Sequence, residues 1–286
     1  MLLGILQFSC SDNTGSVSDI ESDVVPRLNI KIANAFQDEF LNPISKSYTR
    51  TSEDFIQQVS IYVFTGEEPV KLRDVRYANG TASATLPPLA GSLSVFVIAN
   101  ENIEAPASKR DLQRRMARTI IGAGGIPSTG MPMGSSETTF RISPKGQTNV
   151  SVSLERCHSA IYVETPTGRN NNYRISLTGE QRNQGALVSG STMLAPSATN
   201  SAGWTQGYPL SDVPTREPVA YYYPTDGEIT IKVQPVNTLL PPINISLDRH
   251  KAGLRNRKYI LRIVPGATDG NTKSETPPLV TLIEEG

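Results

Sequence analysis

Apolar and polar residues alternate with a period of two in seven stretches of the chain: VSIYVF (59–64), VKLRDVRY (70–77), NVSVSLE (149–155), YRISLT (173–178), EITIKV (228–233), INISLD (243–248) and KYILRIV (258–264). Successive side chains of a strand point to opposite faces, so each stretch reads as a strand with one buried and one solvated face. LSVFVIA (93–99) is apolar throughout and predicts a strand covered on both sides. Turn signals such as Ala78-Asn79-Gly80, Leu86-Pro87-Pro88 and Pro265-Gly266 separate these segments. A helical period shows in KRDLQRRMAR (109–118), where Leu112, Met116 and Ile120 recur every four positions. Ser108 with Asp111 resembles a capping box at its start, and Asp111 stands one turn before Arg115.

These elements predict an all-β protein of two tandem β-sandwich domains with one or two short helices. At 286 residues the chain exceeds what a single core usually organises. The expected boundary lies near Arg156, where NVSVSLE runs almost directly into SAIYVET; it divides an N-terminal domain of residues 27–155 from a C-terminal domain of residues 156–286. Residues 179–216 are the least regular part of the second half and hold the only tryptophan, Trp204, with Tyr208 nearby. Two readings stand for this pair: an aromatic contact for a ligand, or a plug that anchors the loop to the sandwich.

The N-terminus follows a different pattern. The apolar run MLLGILQFS meets Cys10, and the polar stretch that follows, residues 11–26, lacks the periodicity of a core element. The segment 1–10 reads as a lipoprotein signal ending at a lipidated Cys10, with residues 11–26 as a tether. Gln7 departs from the usual lipobox, and no Lys or Arg precedes the run, which suggests a truncated or misassigned start.

Charge and chemistry exclude more than they suggest. The 27 basic residues balance 27 acidic ones, so no global field draws the chain to nucleic acid or to an anionic membrane. The basic stretch 109–118 has no interleaved aromatic residue for base stacking and reads as a solvated helix face. With Cys10 lipidated, Cys157 stands alone as a small core residue; within a strand, His158 beside it would point to the opposite face. His250 lies in the polar turn DRHKAG. Two histidines and one thiol make no zinc site, and no HExxH, GxSxG, P-loop or GxGxxG string occurs, so neither a metal nor another cofactor is expected.

In order along the chain, LNIKIANAF, the loop through SYTRTSEDF, VSIYVFTGEE, LSVFVIANEN, MPMGSS (131–136), SLERCHSAIYVET, AYYYPTDGEITIKV and LRNRKYILRIVPGA resemble the strings of the FimA-type fimbrillins, pilus subunits of Bacteroides-like and Porphyromonas-like bacteria. The resemblance implies transthyretin-like sandwiches and a non-enzymatic structural subunit of a cell-surface fimbria with a role in adhesion. It implies export as an outer-membrane lipoprotein precursor, Arg-specific cleavage after Arg50 with Arg27 as runner-up, and loss of the first strand, in which Leu28, Ile30 and Ile32 share a face. A strand from another subunit would refill the groove, so the partners are other fimbrial subunits and a host or bacterial surface receptor. The donor is expected in LVTLIEEG, with Leu279, Thr281 and Ile283 or else Val280 and Leu282 facing the groove; the other reading is an ordinary edge strand of the second domain. The segment after KYILRIV is shorter than the family's arm. The rival classes are a surface lipoprotein that binds carbohydrate or protein without polymerising, for which Trp204, Tyr208 and Tyr221 to Tyr223 are the aromatic candidates, and a glycosidase, for which no carboxylate pair stands out.

Overall fold

A computed structural model describes residues 25–34, 55–118, 130–143, 146–165, 173–180, 182–191, 204–208, 215–235, 240–264 and 277–285. Up to the crossover near residue 157 the elements are β1 (Arg27–Asn34), β2 (Val59–Thr65), β3 (Glu68–Val70), β4 (Arg73–Ala78), β5 (Thr81–Thr85), β6 (Ser92–Ala99), α1 (Lys109–Gln113), β7 (Met116–Ala117), β8 (Met133–Ser135), β9 (Thr138–Arg141) and β10 (Gln147–Arg156). Beyond it come β11 (Ser159–Thr165), β12 (Tyr173–Gly179), β13 (Gly185–Ala186), β14 (Trp204–Tyr208), β15 (Thr215–Tyr222), β16 (Ile229–Pro235), β17 (Ile243–Leu247), α2 (Arg249–Ala252), β18 (Lys258–Val264) and β19 (Leu279–Glu285). The protein is all-β with two short helices among the described residues, as the alternation predicts.

Strands of the first half form one sheet in the order β3-β2-β6-β8-β10-β1-β5-β4, with β9 also paired to β6. It folds over on itself: Ile61, Val63, Val95 and Val97 share a core with Leu28, Ile30, Ala82, Val150 and Val152 from its other end. The second half is a sandwich of β15-β11-β18-β19 on β14-β12-β16-β17. Its core joins Ile161, Val163, Tyr259 and Leu261 of one sheet to Ile175, Leu177, Ile231 and Val233 of the other. β6 is buried at every position from Leu93 to Ala99, as a doubly covered strand must be, with the one polar residue of that run, Ser94, donating to Glu137. Asn79 and Gly80 take φ of 50° and 72° and turn β4 into β5, which is the hairpin geometry that an Asn-Gly pair favours.

Three expectations are corrected. The stretch 70–77 is two strands, broken at residues 71–72 and bulged where Asp74 takes a φ of 50°. The helix begins as predicted, with the Ser108 hydroxyl accepting from the Asp111 N–H at 3.0 Å and Arg115 paired to Asp111 at 2.9 Å, but it ends at Gln113. Met116 and Ala117 pair instead with Ala186 and Gly185, so tertiary pairing overrides the helical propensity of these residue types; Ile120 lies outside the described residues. Third, Cys157 and His158 are not inside a strand: they form the crossover between β10 and β11, and both are fully buried. The turn DRHKAG forms α2, capped by Asp248.

Arg255 holds this crossover together. Its guanidinium donates to the carbonyls of Glu155 (3.2 Å), Arg156 (3.0 Å), Ala186 (2.8 Å) and Val188 (3.1 Å). Around it, Ile98, Ala117, Cys157, Leu187 and Tyr223 form an apolar cluster drawn from both halves. Glycine is required on both sides. A side chain at Gly134 would collide with the Leu187 carbonyl, and one at Gly185 with the Tyr223 ring and the Cys157 carbonyl. Cys157 is a free thiol, and burial pushes it up to about 11, so it is an inert core group. The His158 ring lies edge-on to Tyr221 with both nitrogens unpartnered. Burial, with the positive charges of Arg156 and Arg255, holds its imidazole well below the usual 6.5.

Replacing Arg255 by Ala is expected to lower the unfolding free energy in urea by roughly 3–5 kcal/mol, because four carbonyls lose their donors at once. Arg255→Lys should recover less than half of that, since an ammonium cannot reproduce the fork. His158 adds a pH dependence. Its folded-state pKa lies below the unfolded value, so below 6.5 the unfolded chain binds the extra proton and stability falls as pH falls. The slope should approach about 1.4 kcal/mol per pH unit, and urea titrations of His158→Phe at pH 7.5 and 5.5 should show it reduced.

Candidate functional site: the first and last strands

The displaced-strand candidate lies at the centre of its sheet. Each β1 residue from Arg27 to Asn34 is in register with β10, running parallel from Gln147 to Leu154, and Arg27 to Lys31 are also in register with antiparallel β5. The Arg27 N–H reaches the Gly146 carbonyl at 2.6 Å and the Ile32 N–H the Gly80 carbonyl at 2.8 Å. Leu28 and Ile30 are 0% exposed and Ile32 8%. Between them, Asn29 and Lys31 turn to the other face, where the Asn29 amide donates to Asn149. Removal of β1 would therefore strip two strand edges and open a groove lined by Ala82, Val150 and Val152.

Other predicted site residues fall into three groups. Arg27 sits inside β1, paired on both sides, whereas Cys10 and Arg50 lie outside the described residues. Trp204 and Tyr208 belong to an edge strand, in register with Leu177 and Tyr173 of β12, rather than to an irregular loop. Tyr221, Tyr222 and Tyr223 are 3%, 5% and 0% exposed, which corrects their reading as surface aromatic candidates: they belong to the cores at and beside the crossover.

The last strand contrasts with the first. β19 pairs on one side only, antiparallel to β18, with Leu279 opposite Val264 and Glu285 opposite Lys258. Val280 and Leu282 pack against the core of the second half, while Leu279 is 64% exposed, Thr281 is exposed and Ile283 half-buried. In this structure it is an edge strand of the second half. What sequence reasoning missed is the piece that docks the halves: Ala186, Leu187 and Val188, all buried, lie within the supposedly irregular segment. Their three-residue apolar run was the available signal.

Among the described residues no cluster of three or more His, Cys, Asp or Glu side chains is placed to hold a metal, and no helix is long and apolar enough to cross a membrane. Leu28→Ala and Ile30→Ala should each cost about 2–5 kcal/mol in urea unfolding. Lys31→Ala, on the solvated face of the same strand, should stay within about 0.5 kcal/mol.

Residues 43–178 match the family model described as Major fimbrial subunit protein (FimA). The chain also shares its fold with solved structures. A candidate cell-adhesion protein from Parabacteroides distasonis matches with a TM-score of 0.53 at 15% identity, covering 91% of this chain and 97% of that one. One from Bacteroides eggerthii matches with a TM-score of 0.53 at 14% identity, covering 91% and 95%. A fimbrilin (FimA) from Porphyromonas gingivalis W83 matches with a TM-score of 0.51 at 12% identity, covering 91% and 97%. No curated protein sequence gives a significant match. Residues 43–178 are thus similar to the FimA-type fimbrillins, and along 91% of its length the chain shares the fold of these solved structures.

Proposed function

We propose that this protein is a structural subunit of a cell-surface fimbria with an adhesive role, exported as an outer-membrane lipoprotein through Cys10 and cleaved after Arg50. Cleavage releases β1, and a strand of the next subunit replaces it. The observation that carries this reading is the position of β1, an apolar strand at the centre of a sheet, separated from β2 by residues 35–58, where Arg50 lies. Arg27 is the poorer target because its peptide group sits in a two-sided ladder, and a protease needs an accessible extended backbone. The incoming strand can take up main-chain hydrogen bonds from both β10 and β5 and fill the pockets of Leu28, Ile30 and Ile32. Donor and groove lie on different parts of the chain, so the contact is head-to-tail and propagates.

β19 is the donor in this reading. Held along one edge, with fewer apolar side chains fully buried than β1, it costs less to release. The same reading divides the subunit into N-terminal and C-terminal domains between residues 155 and 156, one residue before β10 ends at Arg156 and the chain enters the crossover.

Brief trypsin treatment of the purified precursor should yield an N-terminus at Thr51 and ladders resistant to dodecyl sulfate on gels. Arg50→Ala should give no ladder, deletion of residues 277–286 should leave folded protein that does not extend, and Cys10→Ala should abolish palmitate incorporation in cells. Fibres that retain residues 28–50 would defeat the exchange, and a monomer that stays single after cleavage would favour a non-polymerising surface binding protein.

A further inference from the structure

The outward face of β10, β1, β5 and β4 is a polar grid. Register places Gln147, Arg27, Thr85 and Arg73 in one row, Asn149, Asn29, Ser83 and Arg76 in the next, and Ser151, Lys31, Thr81 and Ala78 in a third. None of these twelve side chains is buried, and none is aromatic or a large aliphatic. Arg27, Lys31, Arg73 and Arg76 supply four positive charges, and none of the four enters an ion pair among the described residues. Among the described residues Lys109, Arg115, Arg182, Arg257 and Arg262 are each matched to a carboxylate, whereas Arg174 and Lys232, on another strand pair, share with the grid the lack of an ion pair. The carboxylate nearest the grid in sequence and register is Asp74, which accepts from the Thr85 hydroxyl at 3.3 Å. A neutral chain thus carries a local cationic face at these strands.

Strand geometry sets the spacing of these charges. Arg27 and Lys31 are rooted about 13 Å apart along β1, and Arg27 and Arg73 about 10 Å apart across two strand spacings. Between them lie hydroxyl and amide groups that both donate and accept hydrogen bonds. We propose that this face binds a linear anionic polysaccharide, carboxylated or sulfated, whose acidic groups meet the four cations and whose hydroxyls meet Asn29, Asn149, Ser83, Ser151 and Thr81. Single-stranded nucleic acid is the poorer fit because no aromatic residue offers a stacking platform. An anionic bilayer is poorer too, because the ladder positions present no large apolar side chain to enter it.

Two of the cations stand on β1. If β1 leaves on processing, a clause that rests on the assembly reading above, a strand from LVTLIEEG brings no basic residue in its place. Binding then belongs to the precursor and is lost in the fibre.

The test is fluorescence anisotropy of labelled heparin and labelled alginate with the full precursor. We expect salt-sensitive binding to both, no binding of dextran, and at least tenfold weaker binding for Lys31→Gln/Arg73→Gln/Arg76→Gln with an unchanged thermal transition. A control that removes three exposed cations elsewhere, Arg174→Gln/Lys232→Gln/Arg249→Gln, should bind as the native protein does. Equal weakening by the two triple variants, absence of binding, or equal affinity for single-stranded DNA or phosphatidylglycerol vesicles would overturn the proposal. Cleaved protein that ladders on gels yet binds heparin undiminished would also overturn it. Cleaved protein that never ladders would count against assembly while leaving the triple-variant result to decide the face.

Discussion

The fold depends on one guanidinium. Arg255 reaches across the crossover to the last residues of β10 and to both sides of the buried Leu187, so a single side chain fixes where the first sheet stops and where the second-half segment docks. The Arg255 side chain is only 13% exposed, so it is costly to desolvate and its stabilising effect rests on complete hydrogen bonding. Here each nitrogen of the fork donates to at least one carbonyl. The packing around it is dense enough that Gly134 and Gly185 cannot carry a side chain, and the His158 ring adds a buried group in which burial disfavours the protonated form.

The two halves divide their tasks through the difference between a central and an edge strand. β1 contributes three apolar side chains and two ladders, so the first sheet is incomplete without it; β19 contributes one ladder and a half-buried face. One terminal strand is held on both sides and the other on one side only, which is the asymmetry on which the proposed head-to-tail exchange rests. β1 also carries both chemistries of the first half: its inner face makes core and its outer face supplies half of the cationic grid. Any change in its occupancy would alter stability and surface charge together.

Local signals were legible in the chain. Period-two alternation located most of the long strands but not β15; Asn79-Gly80 located the hairpin, and Ser108 with Asp111 the helix start, because each depends on residues that are near neighbours. The helix end was not legible, since it depends on Met116 and Ala117 finding β13 some seventy residues later. Nor was the docking role of residues 186–188, whose short apolar run acquires meaning only against Arg255 and the crossover.

By itself the sequence determined that this is an all-β chain, which face of each long strand is apolar, and, through its ordered motifs, the resemblance to fimbrillins. Tertiary structure decided the rest: that β1 is central and not peripheral, that LVTLIEEG lies at the edge beside β18, that Tyr221 to Tyr223 are core, and that Cys157 and His158 lie at a crossover. The reason is that alternation specifies which side of a strand is buried but not which strands stand beside it. Neighbours are chosen by contacts between residues far apart in the chain, and those contacts carry no local pattern.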